Sequence, residues 1–393
     1  MKRDVTVDGR PSYICFSGQD WWYFSRAHSD FQLMLRVARD RPVLFVNSIT
    51  MRMPLPGKSS RFWMRIWRKA QSMTKLLRRP VPDVPGFAVL SPIIIPFYGV
   101  SWLRRFNAWS IGLQVRLALR RLGMSRPTCL VTIPTAWDVL AHLEHGPVVF
   151  NRSDRHSAFE EAHQGTIRAM ETELLRGADH VLYVSDVLMR DEAAMVGNRA
   201  LFLDHGVDAD HFRRHPPEDV PADVRDLRHP VIGFFGGFDD YVVDLDLIAH
   251  VARSFPDATI LLIGDANCSM RWTEDLPNVR WLGPRDYNDI PAYGSCFDVA
   301  IMPWLDNEWI RHANPIKMKE YLALELAVVS TDFPEVHRYD GVIRIATDRD
   351  SFVDLIRLTL ADGGLATPEQ RRAAVVDASW DRRAAELLEV CEG

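Results

Sequence analysis

The segment 314–336 holds the residues with the clearest chemical potential in this sequence. Its pattern, NPIKMKEYLALELAVVSTDFPEV, predicts a helix from about Pro315 to Glu325 and then a buried strand. Lys317 lies in the first helical turn, where free backbone N–H groups favour phosphate, and Glu320 follows at i+3 on the same face. The two side chains could hold the diphosphate and the ribose hydroxyls of a nucleotide. A surface helix with an i,i+3 ion pair has the same spacing.

A second group of polar side chains follows a predicted strand that ends near Asn151. The sequence there is FNRSDRHSAFEE, at 150–161, and ligands of doubly wound sheets bind at the carboxyl ends of strands. We expect Asp154 to act as a general base toward an acceptor hydroxyl. It could instead cap a helix over 157–167, and His156 is a weaker alternative for the base.

The loop after the first predicted strand contains a third candidate site. Gly18 permits a tight turn there, and Ser29 with Gln32 predicts a capping box that opens the next helix. Trp21 and Trp22 are candidate acceptor-binding residues, together with Gly18. The tryptophan pair could stack on a sugar or anchor in lipid headgroups, and it could equally belong to the core.

Two series of short apolar runs, with helical patterns between the runs, position these groups. Such runs are typical of buried parallel strands in βαβ units, and two series predict two doubly wound α/β domains. The first series lies at 12–16, 43–47, 87–91, 129–133, 147–151 and 180–185, and the second at 231–236, 258–264, 279–283, 298–303, 327–331 and 342–346.

A stretch rich in proline, charge and histidine, at 204–230, predicts the boundary between the domains. We expect a first domain over 1–205 and a second over 206–375. The last helix is predicted to begin at Thr367-Pro368, where threonine can cap and proline can take the first helical position. It is predicted to continue through SWDRRAAELLEV, at 379–390.

The composition of the 393 residues is that of a globular protein, with 47% hydrophobic and 25% charged residues. No run of about 18 apolar residues predicts a membrane span, and the N-terminal sequence shows no secretory signal. The five cysteines are scattered and form no C-x-x-C, which favours reduced thiols over disulfides or a zinc site. No cluster of metal-ligating residues is visible.

Charge is distributed unevenly along the chain. The stretch 41–137 has sixteen Lys or Arg and one acid, Asp83, and so carries +15 of a total of −5. The rest of the chain therefore carries −20. This asymmetry indicates one face for an anionic partner, which could be nucleic acid, phospholipid or a polyanionic substrate.

Residues 61–79 predict a basic amphipathic helix of the kind that lies on a membrane surface. One face would carry Phe62, Trp63, Ile66, Trp67, Ala70, Met73 and Leu77, and the opposite face Arg61, Arg65, Arg68, Lys75 and Arg79. The alternative is an ordinary helix packed on the first domain. Further residues could extend the surface: Trp102, Arg104, Arg105, Phe106 and Trp109. The sequence shows no recognisable nucleic-acid module, so lipid is favoured.

The pattern P-x-K-x-x-E-Y-L-A…V-V-S-T…P-E in 314–336 resembles the donor-binding helix of bacterial GT-B glycosyltransferases, notably those of exopolysaccharide and teichuronic acid assembly. Three further stretches are similar to that family: HGVDADHF (205–212), VRWLGPRDYNDIPAYGSCFDVAIMPW (279–304) and SWDRR (379–383). The resemblance covers most of the C-terminal half well and the N-terminal half loosely. It implies two Rossmann-like domains facing a cleft, with 376–393 crossing back to the first domain.

The resemblance also implies roles for matching residues. Glu320 would bind the donor ribose, Lys317 the diphosphate, and the loop after the strand at 279–283 would lie beside the base. The donor-site residues that we expect are Gly236, Gly237, Gly283, Arg285, Asn314, Lys317 and Glu320. Relatives in the exopolysaccharide group often carry an aspartate after the strand at 147–151, which supports Asp154 as the base.

Two positions depart from the family pattern. Many relatives have Glu-x7-Glu, whose first glutamate contacts the sugar, and His312 stands at that position here. Many also carry Arg and Lys after the first strand of the second domain, where this chain has the acidic stretch GGFDDYVVDLDL. Phosphate binding is then expected to depend on Lys317 and the helix terminus, with Arg285 or Arg311.

The function that these features predict is metal-independent transfer of a hexosyl or uronosyl group, without a further cofactor. The donor would be a nucleoside-diphosphate sugar and the acceptor a saccharide or lipid-linked molecule in cell-surface polysaccharide synthesis. The enzyme would be cytoplasmic and attached peripherally to the inner face of the plasma membrane through 61–79. Two alternatives stay open: a nucleotide-sugar epimerase of the same fold, and a non-catalytic membrane-bound scaffold.

Overall fold

The computed structural model describes residues 10–23, 28–49, 62–95, 101–156 and 164–393, without the side chains of 62–66, 69 and 164. The chain forms two compact units. Unit 1 is the chain up to Asp204 together with Trp380–Gly393, and unit 2 is His205–Ser379. Among the helices of the described ranges, none is long and apolar enough to cross a membrane.

Unit 1 contains eight strands: β1 (Tyr13–Phe16), β2 (Val43–Val46), β3 (Leu77–Arg78), β4 (Phe87–Leu90), β5 (Thr128–Val131), β6 (Val148–Arg152), β7 (His180–Tyr183) and β8 (Ala200–Phe202). They form one sheet in the order β3-β4-β2-β1-β5-β6-β7-β8. All neighbours are parallel except β3 and β4. The central strands are buried along their whole length, as sheets covered on both faces require.

Helices connect the strands of unit 1 and cover the sheet. They are α1 (Ser29–Val37), α2 (Phe62–Met73), α3 (Ser101–Leu122), α4 (Trp137–Leu140), α5 (Gln164–Gly177), α6 (Asp186–Val196) and, after unit 2, α13 (Trp380–Glu392).

Unit 2 has a parallel six-stranded sheet of β9 (Val231–Phe235), β10 (Thr259–Ile263), β11 (Val279–Trp281), β12 (Val299–Met302), β13 (Val328–Thr331) and β14 (Arg344–Ala346). The strand order is β11-β10-β9-β12-β13-β14. Its helices are α7 (Leu245–Ser254), α8 (Ile290–Gly294), α9 (Glu308–Arg311), α10 (Ile316–Ala323), α11 (Arg349–Asp362) and α12 (Pro368–Val376). The order changes direction at β9, so ligands are expected at the carboxyl ends of β9 and β12.

All twelve strands predicted from the sequence are present, which confirms the two doubly wound α/β sheets. Sequence reasoning missed β3 and β8. β3 has only two residues, and all three residues of β8 are half-buried at an edge of the sheet. Neither segment carries the run of apolar residues that marks a strand buried on both faces.

Three predicted helix boundaries are wrong. The helix predicted over 61–79 ends at Met73, because Leu76 takes a positive φ of 50° and the chain then pairs antiparallel with β4 as β3. The last helix is two helices, since the chain leaves the helical path between Val376 and Trp380. The cap of α12 at Thr367 forms as predicted.

The predicted capping box of α1 is the third error. The N-cap is His28, whose side chain makes no capping hydrogen bond. The Gln32 amide oxygen instead accepts from the Arg36 guanidinium at 2.6 Å. Ser29 begins the helix rather than preceding it, so the predicted spacing of cap and N3 residue is lost.

The helix α13 packs on α1 and completes unit 1. Trp380 at its start is 2% exposed. Asp381 pairs with Arg36 at 3.1 Å, and Glu392 at the other end pairs with Arg41 at 2.9 Å and accepts from the Tyr13 hydroxyl at 2.8 Å. The last helix is therefore held to α1 at its start and to β1 at its end.

A buried ion network ties the end of β6 to two helices. Arg152, 1% exposed, donates to Glu171 of α5 at 2.5 Å and to Glu192 of α6 at 2.9 Å. The Tyr183 hydroxyl also donates to Glu192, at 2.9 Å. A third bond of Arg152, at 2.7 Å, goes to the backbone carbonyl of Asp154 and holds the turn after the strand. The network thus positions the loop that carries the predicted base.

Replacing Arg152 by methionine is expected to lower the free energy of unfolding by about 3–5 kcal/mol, because two buried carboxylates lose their cation. Urea unfolding followed by tryptophan fluorescence measures the change. The matched control is Arg228→Met, which removes an ion pair to Asp257 whose side chains are 68% and 80% exposed. That change should cost less than about 1 kcal/mol. Equal stability of the two variants would contradict a buried, ionised network.

Candidate functional site

Glycines end three neighbouring strands of unit 2 and bring their backbones together. Gly236 and Gly264 have φ values of +150° and +148°, and Gly283 has +70°. A Cβ on Gly264 would lie 1.8 Å from the Gly236 carbonyl oxygen, so no other residue fits there. Gly264 N–H donates to the Gly283 carbonyl at 3.0 Å. The carboxyl edge of the sheet is thus a layer of bare backbone, open to close approach by a ligand.

Lys317, in the first turn of α10, lies directly against this layer. A Cβ on Gly236 would stand 2.3 Å from the Lys317 Nζ. The ammonium group lies 4.8 Å from the ring centre of Phe234 and 5.6 Å from that of Trp304. Two aromatic faces therefore hold the cation at the end of β9.

Tyr321 sets the position of α10 against β9. The Phe235 N–H donates to the Tyr321 hydroxyl at 3.0 Å, and the two rings pack with centres 4.5 Å apart. The preceding residue, Glu320, is 8% exposed. One buried hydrogen bond thus fixes the position at which α10, which carries Lys317 and Glu320, packs against the end of β9.

Burial shapes the titration of this pair. It raises the pKa of Glu320 to about 8, against a lowering by the Lys317 charge. Burial also lowers the pKa of Lys317 to about 8, against raising by the carboxylates of Glu320 and Asp239. Among the described residues, neither the ammonium nor the carboxylate has a hydrogen-bond or ion-pair partner within bonding distance. Both groups can therefore bond to a ligand without breaking a protein contact.

The other predicted donor residues have different surroundings. Gly237 is exposed, and the nearest atom to a Cβ there is the Asp239 carboxylate at 3.7 Å. Asn314 is buried just before α10. Arg285 donates to the Tyr293 hydroxyl at 3.0 Å, to the Leu282 carbonyl at 2.6 Å and to Asp223 at 3.2 Å. Its guanidinium is thus engaged within the protein, and its role beside a base stays a prediction.

The departures from the family pattern also have local explanations. His312 is 7% exposed, and its Nδ1–H donates to the Glu308 carbonyl at 2.6 Å. Arg311 pairs at the surface with Asp306 at 2.9 Å. Asp239 in the acidic loop accepts from Asn267 at 2.7 Å. The bond from Asn267 ties the acidic loop to the loop after β10.

In unit 1, the carboxyl ends of β1, β5 and β6 carry the polar groups. Ser17 donates to the buried Asp30 carboxylate at 2.5 Å. Gly18 N–H donates to the Thr132 hydroxyl at 2.9 Å, and His156 Nε2–H donates to the Thr132 carbonyl at 2.9 Å. Thr132 thus links the loop after β1 to the loop after β6.

Two histidines surround the predicted base, Asp154. Burial lowers the pKa of His28, while Asp30 and Asp154 raise it. Burial likewise lowers the pKa of His156, with Asp154 as the largest opposing influence. Both imidazoles are therefore held toward the neutral form beside a carboxylate. The alternative role of Asp154 as a helix cap involves residues 157–163, which lie outside the described part.

Trp21 and Trp22 have distinct environments. The Trp21 ring packs against Phe31, Phe45 and Phe87 with centres 5.2, 6.1 and 4.9 Å away. This is the core role that the sequence left open. Trp22 Nε1–H donates to the Ser91 hydroxyl at 2.8 Å, and the Lys75 ammonium lies 5.7 Å from its ring centre. Acceptor contact by either ring stays a prediction.

Sequence reasoning missed three contributors to these sites. Gly264 stands in ATILLIG, and its positive φ is decided by the contact with Gly236. Tyr321 is part of the quoted motif, but only the fold shows its bond to β9. The third contributor is the pair of His28 and Asp30 beside the predicted helix start, which no sequence signal singled out.

Two parallel sheets with helices on both sides, each ending in a polar edge, define the GT-B architecture. The fold matches that of HepE (Alr3699) from Anabaena, solved in complex with UDP-glucose, with a TM-score of 0.68 at 16% identity over 97% of this chain and 100% of that one. Residues 229–362 match the family model described as Glycosyl transferases group 1. The chain therefore carries a Glycosyl transferases group 1 domain within a GT-B fold.

Two relatives are similar in sequence. The putative teichuronic acid biosynthesis glycosyltransferase TuaH of Bacillus subtilis (strain 168) is 27% identical over 193 residues, 47% of this chain and 48% of TuaH. Phosphatidyl-myo-inositol mannosyltransferase of Mycobacterium tuberculosis is 25% identical over 272 residues, 64% of this chain and 68% of that enzyme. The match to TuaH thus spans about half the length of that relative.

Glu320→Gln is expected to stabilise the protein at pH 8 by about 2 kcal/mol and to change little at pH 4.5. The folded-state pKa of Glu320 is raised from 4.5 to about 8. The protonated carboxyl group stabilises the folded state fully below pH 4.5, the pKa in the unfolded chain. This stabilisation is lost as the pH rises to about 8. Glutamine keeps the neutral form at every pH. Denaturant unfolding at the two pH values measures the difference.

The control for this experiment is Glu274→Gln, because Glu274 is an exposed glutamate of the same unit. Its stability difference from wild type should not change between the two pH values. A Glu320→Gln protein that is less stable than wild type at pH 8 would show that the carboxylate has a stabilising partner.

Proposed function

We propose that this protein is a glycosyltransferase that moves a hexosyl or uronosyl group from a nucleoside-diphosphate sugar to a saccharide or lipid-linked acceptor. The reaction would need no metal, since the charge of the leaving diphosphate would be offset by Lys317 and the N-terminus of α10. The product would belong to a cell-surface polysaccharide.

One observation carries the proposal: the buried Glu320 carboxylate and the Lys317 ammonium, one helical turn apart on α10, make no hydrogen bond or salt bridge to a protein group among the described residues. A diphosphate satisfies the Lys317 ammonium, and a ribose diol satisfies the Glu320 carboxylate. An unpaired buried carboxylate is costly for a stable fold. Its presence therefore favours a binding role over a structural one.

The transfer step assigns a role to the edge of unit 1. The acceptor hydroxyl oxygen would form a bond to the anomeric carbon while the bond from that carbon to the diphosphate oxygen breaks. Asp154 would take the hydroxyl proton as general base. The hydrogen bond from the Arg152 guanidinium to the backbone carbonyl of Asp154 would keep the loop after β6 in place.

The relatives support the chemical class and the acceptor. TuaH is named for teichuronic acid biosynthesis, and the mycobacterial enzyme is named for transfer to a phosphatidyl-inositol, a membrane lipid. HepE binds UDP-glucose in its crystal structure. We place this enzyme in the cytoplasm, attached peripherally to the anionic inner face of the plasma membrane. The segment 61–79 would contribute basic charge, although its helix covers only Phe62–Met73.

His312 favours one alternative, a non-catalytic scaffold that keeps the donor site. Its ring bonds to the backbone of α9, where the resemblance places a sugar-binding glutamate in relatives. A scaffold would bind nucleotide without turnover. A nucleotide-sugar epimerase would release an epimerised nucleotide sugar and transfer nothing to an acceptor, so product analysis separates all three possibilities.

A thermal-shift panel of UDP, GDP, ADP and dTDP with EDTA present tests the donor site. One nucleotide at about 100 times its Kd should stabilise the wild type by roughly 2.7 kcal/mol. Glu320→Ala should lose that response because the ribose contact is gone. Gly236→Ala should lose it too, because the new methyl group displaces the Lys317 ammonium.

Glu274→Ala is the control for the panel and should respond as the wild type does. A stabilisation by NAD or nucleic acid, with none from the four diphosphates, would contradict the proposed donor site. A nucleotide response that survives in Glu320→Ala would place the nucleotide elsewhere.

Asp154→Asn is expected to lower the transfer rate by about 10²–10⁴ with an unchanged nucleotide response, since the base acts only on the acceptor proton. The assay measures radiolabel from a panel of nucleotide sugars in chloroform–methanol extracts of bacterial membranes. Asp191→Asn, a partly exposed carboxylate paired with Arg155, is the control and should keep transfer. Wild-type transfer by Asp154→Asn would remove Asp154 from the mechanism.

A further inference from the structure

The outward face of α3 exposes an unusual number of large apolar side chains. Five of them follow one another at spacings of four, three, four and four residues, which places them in one stripe. They are Trp102, Phe106, Trp109, Leu113 and Leu117, exposed by 67, 44, 48, 38 and 55%. The opposite face, with Ile111 and Val115, is buried in the core of unit 1. The helix is thus apolar on both sides, although only one side is covered by the unit.

A neighbouring segment adds two isoleucines to this stripe. The Gln114 side-chain amide bonds to both the N–H and the carbonyl of Ile93, at 2.8 and 3.0 Å. Asn107 bonds in the same way to Ile95, at 3.1 and 2.7 Å. Two amides of α3 therefore satisfy the backbone of this segment. The isoleucine side chains stay 56 and 41% exposed beside the helix.

The charges on α3 are all positive. Its 22 residues include five arginines and no acid. Arg104 pairs with Asp138 of α4 at 2.5 Å, and Arg116 donates to the His142 carbonyl. The other three, Arg105, Arg120 and Arg121, are exposed. The apolar stripe is thus accompanied by cations alone.

We propose that this surface, formed by the stripe of α3 with Ile93 and Ile95, inserts into the headgroup region of an anionic lipid bilayer. Tryptophan and phenylalanine with flanking arginines are the side chains that suit the boundary between headgroups and acyl chains. A second copy of the chain would bring arginines against arginines, which disfavours self-association of the same face. This inference depends on one part of the proposed function, namely that the acceptor is linked to a membrane.

The sequence names Trp102, Phe106 and Trp109 as an extension of the predicted surface at 61–79, and the structure places them in a stripe of α3 with Leu113 and Leu117. Electrostatic attachment by basic residues weakens with salt, whereas insertion of apolar side chains does not. We therefore expect the protein to bind vesicles only when they contain anionic lipid, and part of that binding to persist at high salt. In α2, by contrast, Trp67 is the one apolar side chain with a described exposure above one half.

Co-sedimentation of the full chain with phosphatidylcholine vesicles, with and without 30% phosphatidylglycerol, tests the proposal without any nucleotide. Wild type should bind the anionic vesicles and retain binding in 0.5 M NaCl. The triple variant W102S/F106S/W109S should bind at least tenfold more weakly at both salt concentrations. The control L358S/L365S removes two exposed leucines of unit 2, which are 47 and 53% exposed, and should bind as wild type.

Urea-unfolding midpoints and far-ultraviolet circular dichroism show whether each variant is folded, and a misfolded triple variant is replaced by the single variants. Unchanged vesicle binding by a folded triple variant would overturn the proposal. An equal loss of vesicle binding in Trp67→Ser would also overturn it, because binding would then be assigned to α2. A third contrary result is a wild type that forms a dimer and does not bind vesicles, with the dimer abolished in the triple variant. If the proposed nucleotide-sugar site were wrong, the vesicle-binding results would be unaffected, because the assay contains no nucleotide.

Discussion

The close approach of α10 to the end of β9 is the constraint on which the proposed donor site depends. It requires glycine at two positions, because a Cβ on Gly236 would collide with the Lys317 ammonium and one on Gly264 with the Gly236 backbone. The bond between the Tyr321 hydroxyl and the Phe235 N–H then sets the helix at one height. Because the strand ends carry glycines without side chains, the helix that bears Lys317 and Glu320 can pack close to the strand-end backbone.

The same closeness places two ionisable groups where water is scarce. Burial disfavours the charged forms of both Lys317 and Glu320, and their mutual attraction opposes this in each case. A protein selected for stability alone would replace them with apolar residues of similar size. In the proposed donor role, contacts with the ligand would offset this cost to stability.

The sequence was sufficient for the twelve long apolar strands and for the Lys317–Glu320 pair, because both depend on local periodicity. It was insufficient where long-range contacts decide the conformation. The helix after 61 ends at Met73 because Leu76 turns the chain back to pair with β4, and α1 begins at Ser29 without the expected side-chain cap. Trp21 shows the same limit, since three phenylalanines from distant segments enclose it. In α3 the sequence indicated a surface at Trp102, Phe106 and Trp109, but its continuation through Leu113 and Leu117 depends on the opposite face filling the core.

The placement of α13 has a consequence for biosynthesis. Unit 2 is inserted between the first 204 residues of the chain and the helix that completes unit 1. The ribosome makes that helix after unit 2, so the groups that it covers, among them Tyr13 and the arginines that pair with Asp381 and Glu392, lack their partners while unit 2 is synthesised. Unit 2 is contiguous and can fold first in full. The N-terminal half of the protein is therefore the later of the two to reach its native state.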